Sequence, residues 1–226
     1  MAVAMQLSKV EKKSLALVVF EQLKEGILLG RLTPGTRLLE VEISRQMGVS
    51  RAPVREALRM LEAEQLIDFQ VNQGAFVRSL SKDEVWEIYT ARSLIEGYVA
   101  GLVAEKHTPE DLQGLDQALK AVLQVAKSGD FETTVEKDFR FHRLIWEMSN
   151  HRLFFETLTH LEGQIRMFMA LQAHLFASLL DSVEDHIEIY NAIAEGDAER
   201  ARNAIQQHIT RAGRLVMDQW EEQKKQ

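Results

Sequence analysis

The segment from residue 39 to residue 77 constrains the chain most, because its punctuation admits two short helices joined by a tight turn, followed by a hairpin. Val41, Ile43 and Met47 recur at helical spacing up to Gly48, and glycine suits a helix C-terminus because it tolerates the left-handed conformation found there. Val49 follows as a turn residue that packs inward. Ser50 is a favourable N-cap, and Pro53 falls in a first turn, where a missing backbone N–H costs nothing, so a second helix starts near Arg51. Arg51, Arg55 and Arg59 line one stripe of that helix at four-residue spacing, while Val54, Leu58 and Leu61 turn toward the core. Beyond Leu66, residues 67 to 71 and 75 to 78 read as extended runs flanking the turn residues Asn72, Gln73 and Gly74. Together these parts predict a winged helix-turn-helix.

Arginine suits the second helix of such a unit, since its planar fork can hold guanine O6 and N7 together or clamp a phosphate. Arginines at helical spacing are also common on a solvated face, so the turn, the capped helix and the hairpin carry the reading jointly. Net charge does not oppose it. The chain of 226 residues carries −7 overall, but residues 1 to 80 are at +2 and the remainder at −9. A mildly basic reader on an acidic body repels DNA everywhere except at its reading surface.

Size and composition set further bounds. With 46% hydrophobic residues the chain can bury a full core and form two domains. The absence of cysteine excludes disulfides and thiolate zinc sites and suits a reducing compartment. No apolar run is long enough to span a bilayer, and the N-terminus lacks a signal-peptide pattern, so a soluble cytoplasmic protein is expected.

Residues 1 to 8 show no pattern and read as a loose tail; a first helix follows, with an apolar stripe of Leu15, Leu17, Val18, Phe20, Leu23, Ile27 and Leu28 that closes at Gly30. Ser81 with Glu84 forms a capping box, predicting a long helix from about Lys82 to Lys106. From there every break is a helix break: Thr108 with Pro109, Gly129, Asn150 with His151, Asp181 or Ser182, and Gly196 with Asp197. Six helices are expected after residue 80. The chain has no proline beyond Pro109 and no alternating strand pattern there. The predicted fold is mainly α: a winged helix-turn-helix over residues 10 to 80 and an antiparallel all-helical bundle over residues 81 to 222, whose centre is the natural place for a ligand.

At this point the residues resemble the GntR family of bacterial transcription regulators, and more closely its FadR-like subfamily. The capped-helix run of that family appears as Val49 to Leu58, and its wing pattern as Gly74, Ala75, Phe76 and Val77. The resemblance implies DNA contacts from Ser50, Arg51, Pro53, Arg55, Arg59, Gln73 and Gly74. Val41 stands where several relatives carry a DNA-contacting arginine, and Asn72 and Gln73 occupy a wing tip that is often more basic, so a weaker wing anchor is expected. The subfamily's effector domain is a helical bundle bearing an Asp-x-x-x-His pair and two later histidines, here Asp138, His142, His186 and His208. Six downstream helices resemble the VanR-type branch.

Asp138 and His142, four apart, share one helix face, and His186 with His208 comes from the last two helices. Spacing by itself does not single them out, since Glu147 with His151 and Glu156 with His160 have it too. The resemblance does. Three imidazoles and a carboxylate suit a borderline divalent ion such as zinc, nickel, iron or manganese. His160 and His174 lie too far apart on one helix to share an ion, and with His107 and His151 they read as structural or exposed. Arg92 lies on a mostly apolar helical background and needs an anion; Glu96, one turn on, would satisfy it. The resemblance makes Arg92 instead a ligand for a small carboxylate effector, with Arg166 as a second candidate.

The expectation is a homodimeric transcription regulator, a repressor, that reads a palindromic operator in double-stranded DNA and is released by a small organic acid bound at the metal. A helical-bundle metalloenzyme using the Asp/His site is the alternative. It finds no Glu-x-x-His or His-Glu-x-x-His run and leaves the arginine stripe idle.

Overall fold

The computed structural model describes residues 14–79, 81–173 and 178–223, for residues 171–173 and 219–223 in backbone only. The expectations for residues 1 to 8 and for His174 fall outside the described residues. Chain order is α1 (Leu15–Leu28), β1 (Arg37–Leu38), α2 (Glu40–Met47), α3 (Arg51–Ala63), β2 (Ile67–Gln70), β3 (Gly74–Val77), α4 (Lys82–Lys106), α5 (Pro109–Ser128), α6 (Phe131–Met148), α7 (Arg152–Ala173), α8 (Leu179–Val183), α9 (Asp185–Ala194) and α10 (Ala198–Gln223).

The first unit is a winged helix-turn-helix. Gly48 closes α2 in the left-handed conformation at φ 64°, which turns the chain tightly into α3. Val54, Leu58 and Leu61 of α3 are fully buried, and Arg51, Arg55 and Arg59 stand on the opposite, exposed face. Three local expectations need correction. Ser50 has the extended cap backbone, but its hydroxyl makes no cap hydrogen bond among the described residues. Of the helically spaced apolar residues Val41, Ile43 and Met47, only Ile43 is buried, while Val41 is 54% exposed. Gly74 opens β3 with φ 99° rather than lying in the turn, which is made by residues 71 to 73 with Asn72 at φ 60°.

The wing also has a strand that pattern did not announce. β1 pairs antiparallel with β3, Arg37 opposite Phe76 and Leu38 opposite Ala75, giving the order β1-β3-β2. Two residues are too few for a period-2 signal; long-range pairing defines this strand.

The helical unit begins as expected. Ser81 and Glu84 complete a reciprocal capping box, and Thr108 with Asp111 forms another, with Pro109 in the first turn of α5. Seven helices follow residue 81 among the described residues, rather than six, because Glu184 separates the five-residue α8 from α9. The two give the expected six only when taken as one interrupted element. α4 packs chiefly on α10 in antiparallel sense, with Tyr89 against Gly213 at one end and Gly101 against Ala198 at the other. Arg92, Glu96 and Ser93 are buried within α4, so this helix is enclosed by its neighbours along most of one side.

The units meet through α7. A Cβ on Gly163 would lie 2.8 Å from Leu66 Cδ2, so the absent side chain is what lets α7 approach the corner between α3 and β2. Beside it Gln164 Nε2 donates to Gln65 Oε1 at 2.7 Å.

A buried histidine cluster and an exposed arginine face

Asp138 and His142 project from α6 one turn apart, His186 from the first turn of α9 and His208 from α10. All four are buried, and each offers a ligand atom such that the set lies within 4.8 Å of one another. Ring centroids are 5.2 Å apart for His142 and His186, 5.2 Å for His142 and His208, and 4.6 Å for His186 and His208. Phe141 closes one side with its ring 4.7 Å from that of His186.

The outward nitrogens decide how the rings present themselves. His142 Nδ1 lies 2.6 Å from Glu96 Oε2, His186 Nδ1 2.8 Å from the Val183 carbonyl, and His208 Nδ1 3.4 Å from Asp185 Oδ2. A nitrogen facing an acceptor carries a proton, so a ring with a single proton presents its Nε2 lone pair on the other side. Burial holds His142 below the usual imidazole range and pushes His208 down to about 4. Burial opposes ionisation of Asp138, but His186, His142 and His208 outweigh it and hold its carboxyl well below the usual range.

The consequence is a set of buried polar atoms turned toward one another. Asp138 Oδ1 and His186 Nε2 lie 2.7 Å apart, yet without hydrogen-bond alignment, and neither atom has a hydrogen-bond partner among the described residues; nor does His142 Nε2. Buried acceptors facing one another are costly unless a cation lies between them. Three nitrogens and one carboxylate oxygen fit a borderline divalent ion, so these residues could hold one.

Arg92 sits behind this cluster. Its Nε donates to Glu96 Oε1 at 2.5 Å, and the other Glu96 oxygen holds His142, so one carboxylate links an arginine to a candidate ligand. The local partner available in the sequence is therefore the one used. Burial would raise Glu96, but Arg92 and His142 overcome it and bring it to about 2. Arg92 Nη2 remains without a hydrogen-bond partner among the described residues, as does Arg166 Nε. Arg166 lies over the Phe139 ring at 5.1 Å, near the ligand-bearing turn of α6.

The other acid-histidine pairs dissolve into ordinary contacts. Glu147 binds Arg140 and Arg143, Glu156 binds Arg152, and His151 Nδ1 accepts the Phe154 N–H near the start of α7. Two functional candidates escaped the sequence reading: Asp185, which orients His208, and Glu96 in its contact with His142 across 46 residues. Only the i,i+4 spacing of Arg92 and Glu96 offered a hint.

On the exposed face of the first unit, Arg51, Arg55 and Arg59 are brought together on α3 with Ser50 and Pro53 at its start; Gln73 and Gly74 lie at the wing. Arg37, from β1, donates through Nη2 to the Gln73 carbonyl at 2.5 Å and so ties the wing tip to the sheet.

Residues 15–77 match the model of the bacterial regulatory proteins of the gntR family, and residues 87–211 match the FCD domain. The chain is similar to a probable D-xylose utilization operon transcriptional repressor of Paenarthrobacter nicotinovorans, 31% identical over 84% of this chain and 85% of that one. It is similar to the HTH-type transcriptional regulator LutR of Bacillus subtilis, 29% identical over 85% of this chain and 97% of the other. Among solved structures, E. coli McbR/YncC superposes with a TM-score of 0.78 at 25% identity, covering 92% of this chain and 100% of that chain.

Proposed function

The chain belongs to the GntR family of DNA-binding transcription regulators and carries an FCD domain, and from that premise we propose that it is a repressor controlled by a small carboxylate at a divalent metal in the helical unit. Its relatives are regulators and not enzymes, so the metalloenzyme alternative falls away. The carrying observation is the convergence of His142, His186 and His208 on Asp138 with their outward nitrogens tied back.

In this reading residues 10 to 80 bind DNA and residues 81 to 222 bind effector and partner. Asp138, His142, His186 and His208 hold the ion, which when bound supplies Lewis acidity toward a carboxylate. Arg92 and Arg166 take the effector's remaining negative charge through the N–H groups left without partners. Arg51, Arg55 and Arg59, with Ser50, Pro53, Gln73 and Gly74, contact the operator.

A small acid changes operator affinity to the extent that it binds one packing of the bundle better than another. The contact of Gly163 and Gln164 with Leu66 and Gln65 gives that packing a route to the end of α3. The functional unit is a homodimer on a palindromic site, since one winged helix reads few base pairs. Trp86, Thr90, Leu94 and Tyr98 form an exposed stripe along α4 for a second copy to cover. Described helices include none long and apolar enough to cross a membrane, which accords with a cytoplasmic regulator.

The test is metal content measured beside operator binding. His186→Ala is expected to lose the metal and its influence on DNA affinity; full occupancy in that variant removes His186 from the site.

A further inference from the structure

The three arginines of α3 are not equivalent. Arg51 and Arg59 make no hydrogen bond or close ion pair among the described residues, and Arg51 acts on Glu40 only through its charge, which helps to lower that carboxyl after the larger effect of Arg55. Arg55 is gripped from the side: its Nε donates to Glu40 Oε1 at 3.2 Å and its Nη2 to Glu40 Oε2 at 3.0 Å. Glu40 belongs to the first turn of α2, a different helix, 15 residues away in sequence.

The chemistry of the guanidinium makes this grip useful. Five N–H groups lie in one plane, and the side-on pair consumes the Nε–H and one Nη2–H. The end-on pair, one N–H from each Nη, stays open. That end-on fork can still match O6 and N7 of guanine together. A free arginine of the same reach must lose its side-chain freedom on binding, whereas one already held in plane has less to lose.

The pair is poorly placed to matter for folding. Its side chains are 55% and 30% exposed, and exposed pairs contribute little to stability. An acid in the first turn of α2 gains from the helix dipole wherever it points. The dipole does not explain a two-pronged grip on the neighbouring helix.

We propose that Glu40 is a positioning residue for DNA reading, fixing the plane of Arg55 so that its end-on fork selects a guanine in the major groove instead of ranging over phosphates. The inference rests on α3 being the reading helix. It goes further by dividing the stripe: Arg55 is set for a base, with its selectivity supplied by a residue that itself touches no DNA.

The experiment uses the full chain and two probes, a duplex selected by the wild-type protein from a randomised pool and a scrambled duplex of the same composition. In Glu40→Gln, affinity for the selected duplex is expected to fall about tenfold, while affinity for the scrambled duplex holds or rises because a negative charge near the phosphates is gone. Replacing the selected guanines one at a time with 7-deazaguanine should cost the wild type at one position in each half-site and cost Glu40→Gln little there. Arg55→Ala should show the same loss of selectivity, and the double variant should be no worse than Arg55→Ala. Equal changes on both probes would reduce Glu40 to a charge and overturn the proposal; losses on both probes with a lowered thermal midpoint would make it structural. If Arg55→Ala itself binds the selected duplex as the wild type does, the reading of Arg55 as a DNA contact fails. If Arg55→Ala weakens binding while Glu40→Gln keeps full selectivity, that reading survives and Glu40 drops out.

Discussion

Two arginine–glutamate pairs of the same chemistry stand in opposite environments. Arg92 and Glu96, within α4, are 3% and 0% exposed; Arg55 and Glu40, between α3 and α2, are 55% and 30% exposed. In the interior neither charge can be released, because each would be left without water or partner, so the pair is a fixed support and its spare carboxylate oxygen orients His142. At the surface water can replace either partner, so the pair directs a side chain without committing the fold to it. One pair stabilises a site; the other aims a contact.

Removing one partner is the sharpest way to break this contrast. Glu96→Ala is expected to destabilise the protein by about 3 to 5 kcal/mol, since it strands Arg92 and loosens His142. Denaturant unfolding checks it, and a loss below that of an ordinary surface substitution would mean the interior pair is not a support. Arg51→Ala, on the exposed side, is expected to leave stability unchanged and to cost about 1 to 3 kcal/mol of specific DNA binding, measured at fixed salt. Unaltered operator affinity would remove Arg51 from the reading set.

Acidification separates the two regions by pH. His208 sits at about 4 in the fold against a usual 6.5, so between those values the unfolded chain binds the extra proton and stability falls as pH falls. Glu96, at about 2 against 4.5, adds a further loss in the same direction below pH 4.5. The metal-free protein should therefore lose about 2 kcal/mol between pH 7 and pH 5, read as a falling thermal midpoint. A flat profile there would show that His208 is not held neutral by burial. The smallest effect is expected from Glu40→Gln, whose thermal midpoint should change by less than about 1 kcal/mol equivalent.

Legibility followed the range of the interaction. The boundaries of α4 and the turn at Gly48 were visible because a capping box and a left-handed glycine act within a few residues. The faces of α3 were visible because helical periodicity sorts Arg51, Arg55 and Arg59 from Val54, Leu58 and Leu61. Exposure of Val41 was not, since a helix of eight residues can satisfy its core with Ile43. Nor was β1, which exists through its pairing with β3.

For the histidine cluster, local pattern placed Asp138 and His142 on one face, and family resemblance, not spacing, distinguished them from Glu147 and His151. The sequence alone determined the reader's outline and the inventory of candidate donors, because caps, turns and periodicity are short-range physics. Only the tertiary structure decided that Glu96 orients His142, that Asp185 faces His208, and that Glu40 grips Arg55. Those contacts join separate helices, and side chains from separate helices meet only when packing of the whole chain fixes their distance and angle.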